Sequence, residues 1–198
     1  MRDALEALRA GEPVILPTDT VYGLCASASE SGPTERLYAL KGRDPLQPSA
    51  LLAADVEQLL DCLPELDARA CLIVRALLPG PYTLVLPNPA RRYRWLTGRT
   101  QDAIGVRVPE LPPEAERVVA ESGCVVSTSA NLPGGPDPRR VADIPAALLE
   151  HVRAVVDVGE LPGTPSTVID FSGAEPAVIR EGAAASADAL ERVALALR

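Results

Sequence analysis

The chain has 198 residues, of which 47% are hydrophobic and 23% charged, and a net charge of −8. A chain of this length can bury a substantial core without disulfides or metals, so one compact domain over residues 1–198 is expected. The acidic balance argues against coating nucleic acid by general electrostatics, and apolar runs as short as Leu84-Val85-Leu86 argue against a membrane span.

In chain order, Asp3 to Ala10 predicts a helix, with Ala4, Leu5 and Leu8 at helical spacing and Gly11 to stop it. Pro13 to Pro17 reads as a short buried strand. Gly32-Pro33-Thr34 opens a second helix that carries Lys41 and Arg43 at its C-terminal end. A strand over Ala50 to Ala53 is followed by helices over Val56 to Cys62 and Asp67 to Leu78. Tyr82 to Leu86 and Ile104 to Val108 have strand composition, and the basic, irregular Pro89 to Thr100 lies between them. Pro112 to Ser122 is a helix leading through Gly123 into the strand Cys124-Val125-Val126. Strands at Ala154 to Val158, Thr167 to Phe171 and Ala177 to Ile179 precede an amphipathic helix over 186–197. The alternation of helices and short apolar strands gives an α/β class: a single twisted, mostly buried mixed sheet flanked by helices. Loops at Gly134-Gly135-Pro136 and 161–165 fall at the sheet edge rather than at domain boundaries.

Cys25, Cys62, Cys71 and Cys124 contain no CxxC pair and read as small buried apolar residues. His151 is the only histidine and has no nucleophile motif beside it, which argues against Ser-His or Cys-His chemistry and against a zinc site. The N-terminus MRDALE lacks an apolar signal segment, and a cytoplasmic location is expected. Among 19 basic residues Lys41 is the sole lysine, a position where a compact ammonium is of use.

Five polar segments adjoin the predicted strands, where α/β proteins build ligand sites. Pro17-Thr18-Asp19-Thr20-Val21-Tyr22-Gly23-Leu24 places hydroxyls and a small-residue turn at a strand end, and reads equally as part of a ligand site or as an ordinary turn. Lys41-Gly42-Arg43 either offsets a helix dipole or, joined by other cations, grips a polyphosphate. Arg107 in Gly105-Val106-Arg107-Val108-Pro109 either faces a cleft holding an anion or pairs with an internal carboxylate. Ser127-Thr128-Ser129-Ala130-Asn131 reads as a loop after its strand whose backbone and side chains bind something polar, with an Asx/ST turn as the alternative. Pro165-Ser166-Thr167-Val168-Ile169-Asp170, with Ile179-Arg180-Glu181-Gly182, adds hydroxyls and a further arginine. No Walker A loop is present, and no GxGxxG follows a strand. The residues alone indicate an α/β protein whose strand ends suit a nucleoside triphosphate and a small zwitterion.

The ordered set PTDTVYGL, KGR, PGPYT, GVRVP, STSAN, PSTVID and IREG resembles the successive motifs of the YrdC/Sua5 family, from about residue 11 to 182. The resemblance is to the short form without the additional Sua5 C-terminal domain. It implies a large, positively lined cavity and synthesis of threonylcarbamoyl-AMP and pyrophosphate from L-threonine, bicarbonate and ATP, with Mg²⁺ accompanying ATP. The product would pass to tRNA or to the tRNA threonylcarbamoyl-transferase components. Carried over by motif, Lys41, Arg43, Ser129 and Asn131 form the catalytic tetrad. Thr20, Tyr22, Arg107, Ser127, Ser166 and Thr167 would bind threonine, and Gln47 and Arg180 would join the tetrad around ATP. No metal ligand is implied among the side chains. Two departures fall near the expected triphosphate: Gln47-Pro48-Ser49, where the family has Lys or Asn and then Pro-Leu, and Leu132-Pro133-Gly134, which lacks a hydroxyl. A competing reading is a paralogue that binds nucleotide or double-stranded RNA without synthase activity. The basic cluster Arg91, Arg92, Arg94 and Arg99 would serve it, or be a solvated loop.

Overall fold

The computed structural model describes all 198 residues. Its helices are α1 (Arg2–Arg9), α2 (Ser31–Lys41), α3 (Val56–Cys62), α4 (Ala68–Leu77), α5 (Pro113–Ser122), α6 (Ala146–Leu149) and α7 (Ser186–Ala196). The strands are β1 (Val14–Leu16), β2 (Gly23–Ser27), β3 (Ala50–Leu52), β4 (Tyr82–Pro87), β5 (Ala103–Arg107), β6 (Val125–Ser129), β7 (Ala154–Val155), β8 (Thr167–Asp170) and β9 (Ala177–Arg180). They form one nine-stranded sheet in the order β7-β1-β2-β6-β3-β5-β4-β8-β9. The β1/β7, β3/β5 and β4/β8 pairs are parallel and the rest antiparallel, so the sheet is mixed, as the alternation of elements predicts.

Side chains alternate across a strand, and that alternation divides the sheet into two unequal faces. On one face Ile15, Leu24, Leu51, Val126, Val106, Leu84 and Ile169 join a continuous core with residues of α2, α3, α4 and α7. On the other, Val14, Leu16, Cys25, Leu52 and Val125 pack against Ala4, Ala7 and Leu8 of α1 and Val118 and Val119 of α5. These two helices cover only the β1-β2-β6-β3 end. Beyond them the same face continues through registered positions Ser127, Ala50, Gly105, Val85 and Asp170. All five line a cleft. Gly105 and Ala50 have almost no side chain, which gives the cleft its depth.

Three local expectations change. Residues Gly23–Ser27 form a full strand where the sequence predicts none, because GLCAS has small residues of low strand propensity held between two partner strands. Ser127, Thr128 and Ser129 belong to β6 itself, paired with Cys25, Leu24 and Gly23, so the loop begins only after Ser129. The strand near 154–158 has just two residues, Ala154–Val155. The cysteines also differ from expectation. Cys25 and Cys124 are buried, but Cys62 and Cys71 are half-buried. The Cys62 and Cys124 sulfurs, both free thiols, lie 2.6 Å apart. No helix is long and apolar enough to cross a membrane.

Candidate functional site

The cleft is a cavity of about 480 Å³ on the half-covered sheet face. It draws on the turn before β2, the segment between α2 and β3, strands β4, β5 and β6, and the β8–β9 end. Ser and Thr are its commonest lining residues, together with Arg43, Arg107 and Arg180 and the carboxylates of Asp137 and Asp170. The lining is thus mixed in charge and rich in hydroxyls. Within a low-dielectric recess such groups bind anions more strongly than they do in open water.

One end of the cavity is organised by Arg107. It sits at the end of β5 with its side chain on the cleft face, 8% exposed. Its Nη2 donates to Asp19 Oδ1 at 2.5 Å and to Thr20 Oγ1 at 2.6 Å. Arg107 thus pairs with an internal carboxylate, one of the two alternatives read from the sequence, and it also lines the cleft. Burial lowers the Arg107 pKa and the Asp19 carboxylate opposes that effect. The Thr18 hydroxyl bonds to Thr20 Oγ1 at 3.0 Å and donates to Val21 O at 2.7 Å, which holds the loop in shape. Arg107 Nε and Asp19 Oδ2 remain without a partner. Nearby, Ser166 Oγ lies 2.8 Å from Thr83 Oγ1, and Arg180 spans Ser166 by donating to its carbonyl at 2.8 Å and its hydroxyl at 3.3 Å.

The second grouping surrounds Lys41. Helix α2 ends there because Gly42 takes a left-handed conformation, φ 66°. The buried ammonium donates to Asn131 Oδ1 at 2.8 Å, to Thr128 Oγ1 at 3.1 Å and to the Ser129 carbonyl. Ser129 Oγ donates to the same Asn131 oxygen at 2.8 Å, and Asn131 Nδ2 is held by Gly135 O at 2.7 Å. Desolvation, reinforced by Arg43, lowers the Lys41 pKa to about 8, against the pull of Asp137. Arg43 donates Nη2 to Pro48 O at 2.6 Å, and its guanidinium lies 6.0 Å from the Tyr38 ring centroid. Lys41, Ser129 and Asn131 are thus in direct contact, and Arg43 stands beside them.

The structure does not bring every sequence-predicted residue to the cavity. Thr20, Ser127, Ser129, Ser166, Arg43, Arg107 and Arg180 line it, whereas Lys41 and Asn131 lie outside the lining and adjoin it only through Thr128 and Ser129. Tyr22 is fully buried elsewhere: its hydroxyl donates to Asp157 Oδ1 at 3.0 Å and Gly159 O at 2.8 Å, bracing the loop after β7. Thr167 is also fully buried, accepting from Gly182 N at 2.9 Å and donating to the Ala184 carbonyl. The alternation of β8 turns it away from the face used by Val168 and Asp170. Gln47 is exposed and outside the lining, whereas its neighbours Pro48 and Ser49 are inside it. Sequence reasoning gave no role to Thr18 and Thr83, and noted Ser49 only as a departure from the family pattern near the expected triphosphate. The first two stand in motifs already singled out, and strand parity with Arg107 and Val85 could have found Thr83. The basic cluster is partly neutralised, since Arg91 pairs with Asp102 at 2.7 Å and Arg92 with Glu65 at 2.6 Å.

Comparison with known proteins places this cleft in a family. The Sua5–YciO–YrdC family model, described as telomere recombination, matches residues 6–182. A threonylcarbamoyl-AMP synthase of Chromohalobacter salexigens is 37% identical over 175 residues, covering 87% of this chain and 93% of that protein. The threonylcarbamoyl-AMP synthase of Pyrococcus abyssi is 32% identical over 183 residues, and the match spans only 54% of its length. The structure of P. abyssi Sua5 complexed with L-threonine superposes with a TM-score of 0.86 over 97% of this chain and 56% of that one, at 32% identity. Escherichia coli YciO gives a TM-score of 0.79 at 28% identity, over 92% of this chain and 88% of its own. With the motifs in order, the cleft formed by them and a family model covering most of its length, the chain belongs to the Sua5–YciO–YrdC family.

Proposed function

We propose that the protein is a threonylcarbamoyl-AMP synthase that joins L-threonine, bicarbonate and ATP, releasing pyrophosphate. The observation that carries this reading is the Arg107 end of the cavity together with the Lys41–Asn131 grouping that adjoins it through Thr128 and Ser129, in a fold shared with a relative that binds L-threonine. The threonine amine and bicarbonate form a carbamate with loss of water. A carbamate oxygen then attacks the α-phosphorus of ATP, and the bond to pyrophosphate breaks. Both reactants are anions, so positioning and charge neutralisation supply the catalysis, with no protein nucleophile required.

In this scheme Arg107, held by Asp19, takes the threonine carboxylate, and Thr20, Ser127 and Ser166 take its polar groups. Lys41, Arg43, Ser129, Asn131 and Arg180 bind the ATP phosphates. Tyr22 and Thr167 act as braces rather than ligands. The Mg²⁺ of the reaction accompanies the ATP phosphates. A cytoplasmic setting, with tRNA modification as the destination of the product, follows from this activity.

The test is pyrophosphate release from pure protein supplied with ATP, Mg²⁺, bicarbonate and L-threonine. The reading requires release that depends on both threonine and bicarbonate and collapses in Lys41→Ala. ATP binding without release would favour the paralogue that lacks synthase activity.

A further inference from the structure

Closing a disulfide requires two cysteines whose backbones already hold their sulfurs within reach of a bond of about 2.05 Å. Of the four cysteines, Cys25 is fully buried with Ser127 Oγ at 3.5 Å, and Cys71 reaches the Leu66 carbonyl at 3.8 Å. The remaining two meet. Cys62 and Cys124 have their sulfurs 2.6 Å apart, although they stand 62 positions apart in the chain. Neither lines the cavity, and the proposed synthesis uses neither.

The surrounding backbone holds this pair. Cys62 is the last residue of α3, whose N-cap Asp55 accepts from Gln58 N at 2.7 Å. Gln58 then ties the helix to α5, donating Nε2 to the carbonyls of Val119 and Ala120 at 3.3 Å each. Cys124 stands between the end of α5 and the start of β6, and its carbonyl accepts from Ala28 N at 3.2 Å. With both segments anchored, the sulfurs need only small side-chain movements to bond.

The two thiols are not equivalent. Cys62 is half-buried and within reach of small reagents, whereas Cys124 is 7% exposed. The hydrogen bond from Cys124 holds the Cys62 thiol below its ordinary pKa, with burial and Asp61 opposing, and the Tyr93 hydroxyl adds to the lowering. The same contact and burial raise Cys124. Exchange with a disulfide proceeds through the thiolate, so Cys62 is the attacking sulfur and Cys124 the resolving one.

We propose that Cys62 and Cys124 form a reversible redox site that reacts with low-molecular-weight disulfides of the glutathione class. The Cys62 thiolate attacks one sulfur of that disulfide, forming a mixed disulfide and expelling one thiolate. Cys124 gives up its proton and attacks the Cys62 sulfur, closing the protein disulfide and expelling the second. Two protein thiols are oxidised and the small disulfide is reduced to two thiols, with no other reactant. In a reducing compartment the pair rests as thiols and closes when the disulfide share of the pool rises. The closed bond ties the end of α3 to the start of β6, the strand that carries Ser127 and Ser129 of the cleft. The site does not depend on the synthase reading.

The experiment incubates the folded protein in buffers of graded reduced and oxidised glutathione, traps free thiols with iodoacetamide and maps the peptides by mass. Oxidising buffers should yield a cross-linked peptide pair containing Cys62 and Cys124, lighter by two hydrogens, in the wild-type protein and in Cys71→Ser. In Cys124→Ser, Cys62 should stop at the mixed disulfide with glutathione, and in Cys62→Ser, Cys124 should stay free. Closing a loop of this length should raise the melting temperature by about 5–15 °C, a shift that dithiothreitol reverses. Free thiols at all four cysteines at every ratio, or a cross-link that forms only in urea, overturns the site. Glutathione found on Cys124 ahead of Cys62 overturns the order of attack.

Discussion

The Arg107–Asp19 pair is a buried structural contact and, on the proposed reading, the seat of the threonine carboxylate, so Asp19→Ala should affect both stability and binding. The side chains are 10% and 11% exposed, so removing Asp19 leaves a buried guanidinium with Thr20 Oγ1 as its remaining partner. Breaking a buried ion pair on one side costs about 3–5 kcal/mol. Arg107 Nε and Asp19 Oδ2 are already unpartnered, which points to the lower end, about 3 kcal/mol. At 2–4 °C per kcal/mol for a chain of this size, the melting temperature should fall by roughly 6–12 °C. Calorimetry on Asp19→Ala, Arg107→Met and the double variant would measure this. The double variant should melt above Asp19→Ala, because it leaves no buried charge unpaired, and all three should lose L-threonine binding. A fall of under 2 °C in Asp19→Ala, or additive losses in the double variant, would refute the reasoning.

Gly182→Ala should be destabilising by about 2–3 kcal/mol, because a Cβ there would lie 2.2 Å from Pro165 O and 2.5 Å from Ser166 C, both backbone atoms. Urea denaturation reads the loss, and weaker threonine binding should accompany it as Ser166 is displaced. Lys41, with its pKa lowered to about 8, should make ATP binding weaken as pH rises above that value, a trend absent in Lys41→Met titrated from pH 7 to 9.5. The sign for stability is opposite. Its folded pKa is below the ordinary 10.5, so the unfolded chain binds the extra proton between about pH 8 and 10.5, and the Lys41 contribution to stability grows across that window. The hydrogen bond from Cys124 holds the Cys62 thiol below its ordinary pKa, so iodoacetamide at pH 7 should alkylate Cys62 ahead of Cys71. Peptide mass mapping in which the two react at equal rates would contradict this.

The sequence by itself determined the α/β class, nearly all helices and strands, and the order of motifs, because hydrophobic periodicity, Gly and Pro stops and strand composition are local properties of the chain. It also singled out Lys41, Arg43, Arg107 and the hydroxyl-rich segments, since charge and hydroxyls beside apolar strands are costly to bury without purpose. Only the tertiary structure decided which of them meet. Strand parity sends Ser166, Val168 and Asp170 to the cleft and Thr167 behind it, and a hydrogen bond to Asp157 takes Tyr22 out of the site. The strand Gly23–Ser27 was illegible for a related reason: its small residues are extended because β1 and β6 pair on either side, a stabilisation that comes from distant segments. The same holds for Ser49 and Tyr38, which only the folding of β3 against the 93–100 loop and α2 brings together.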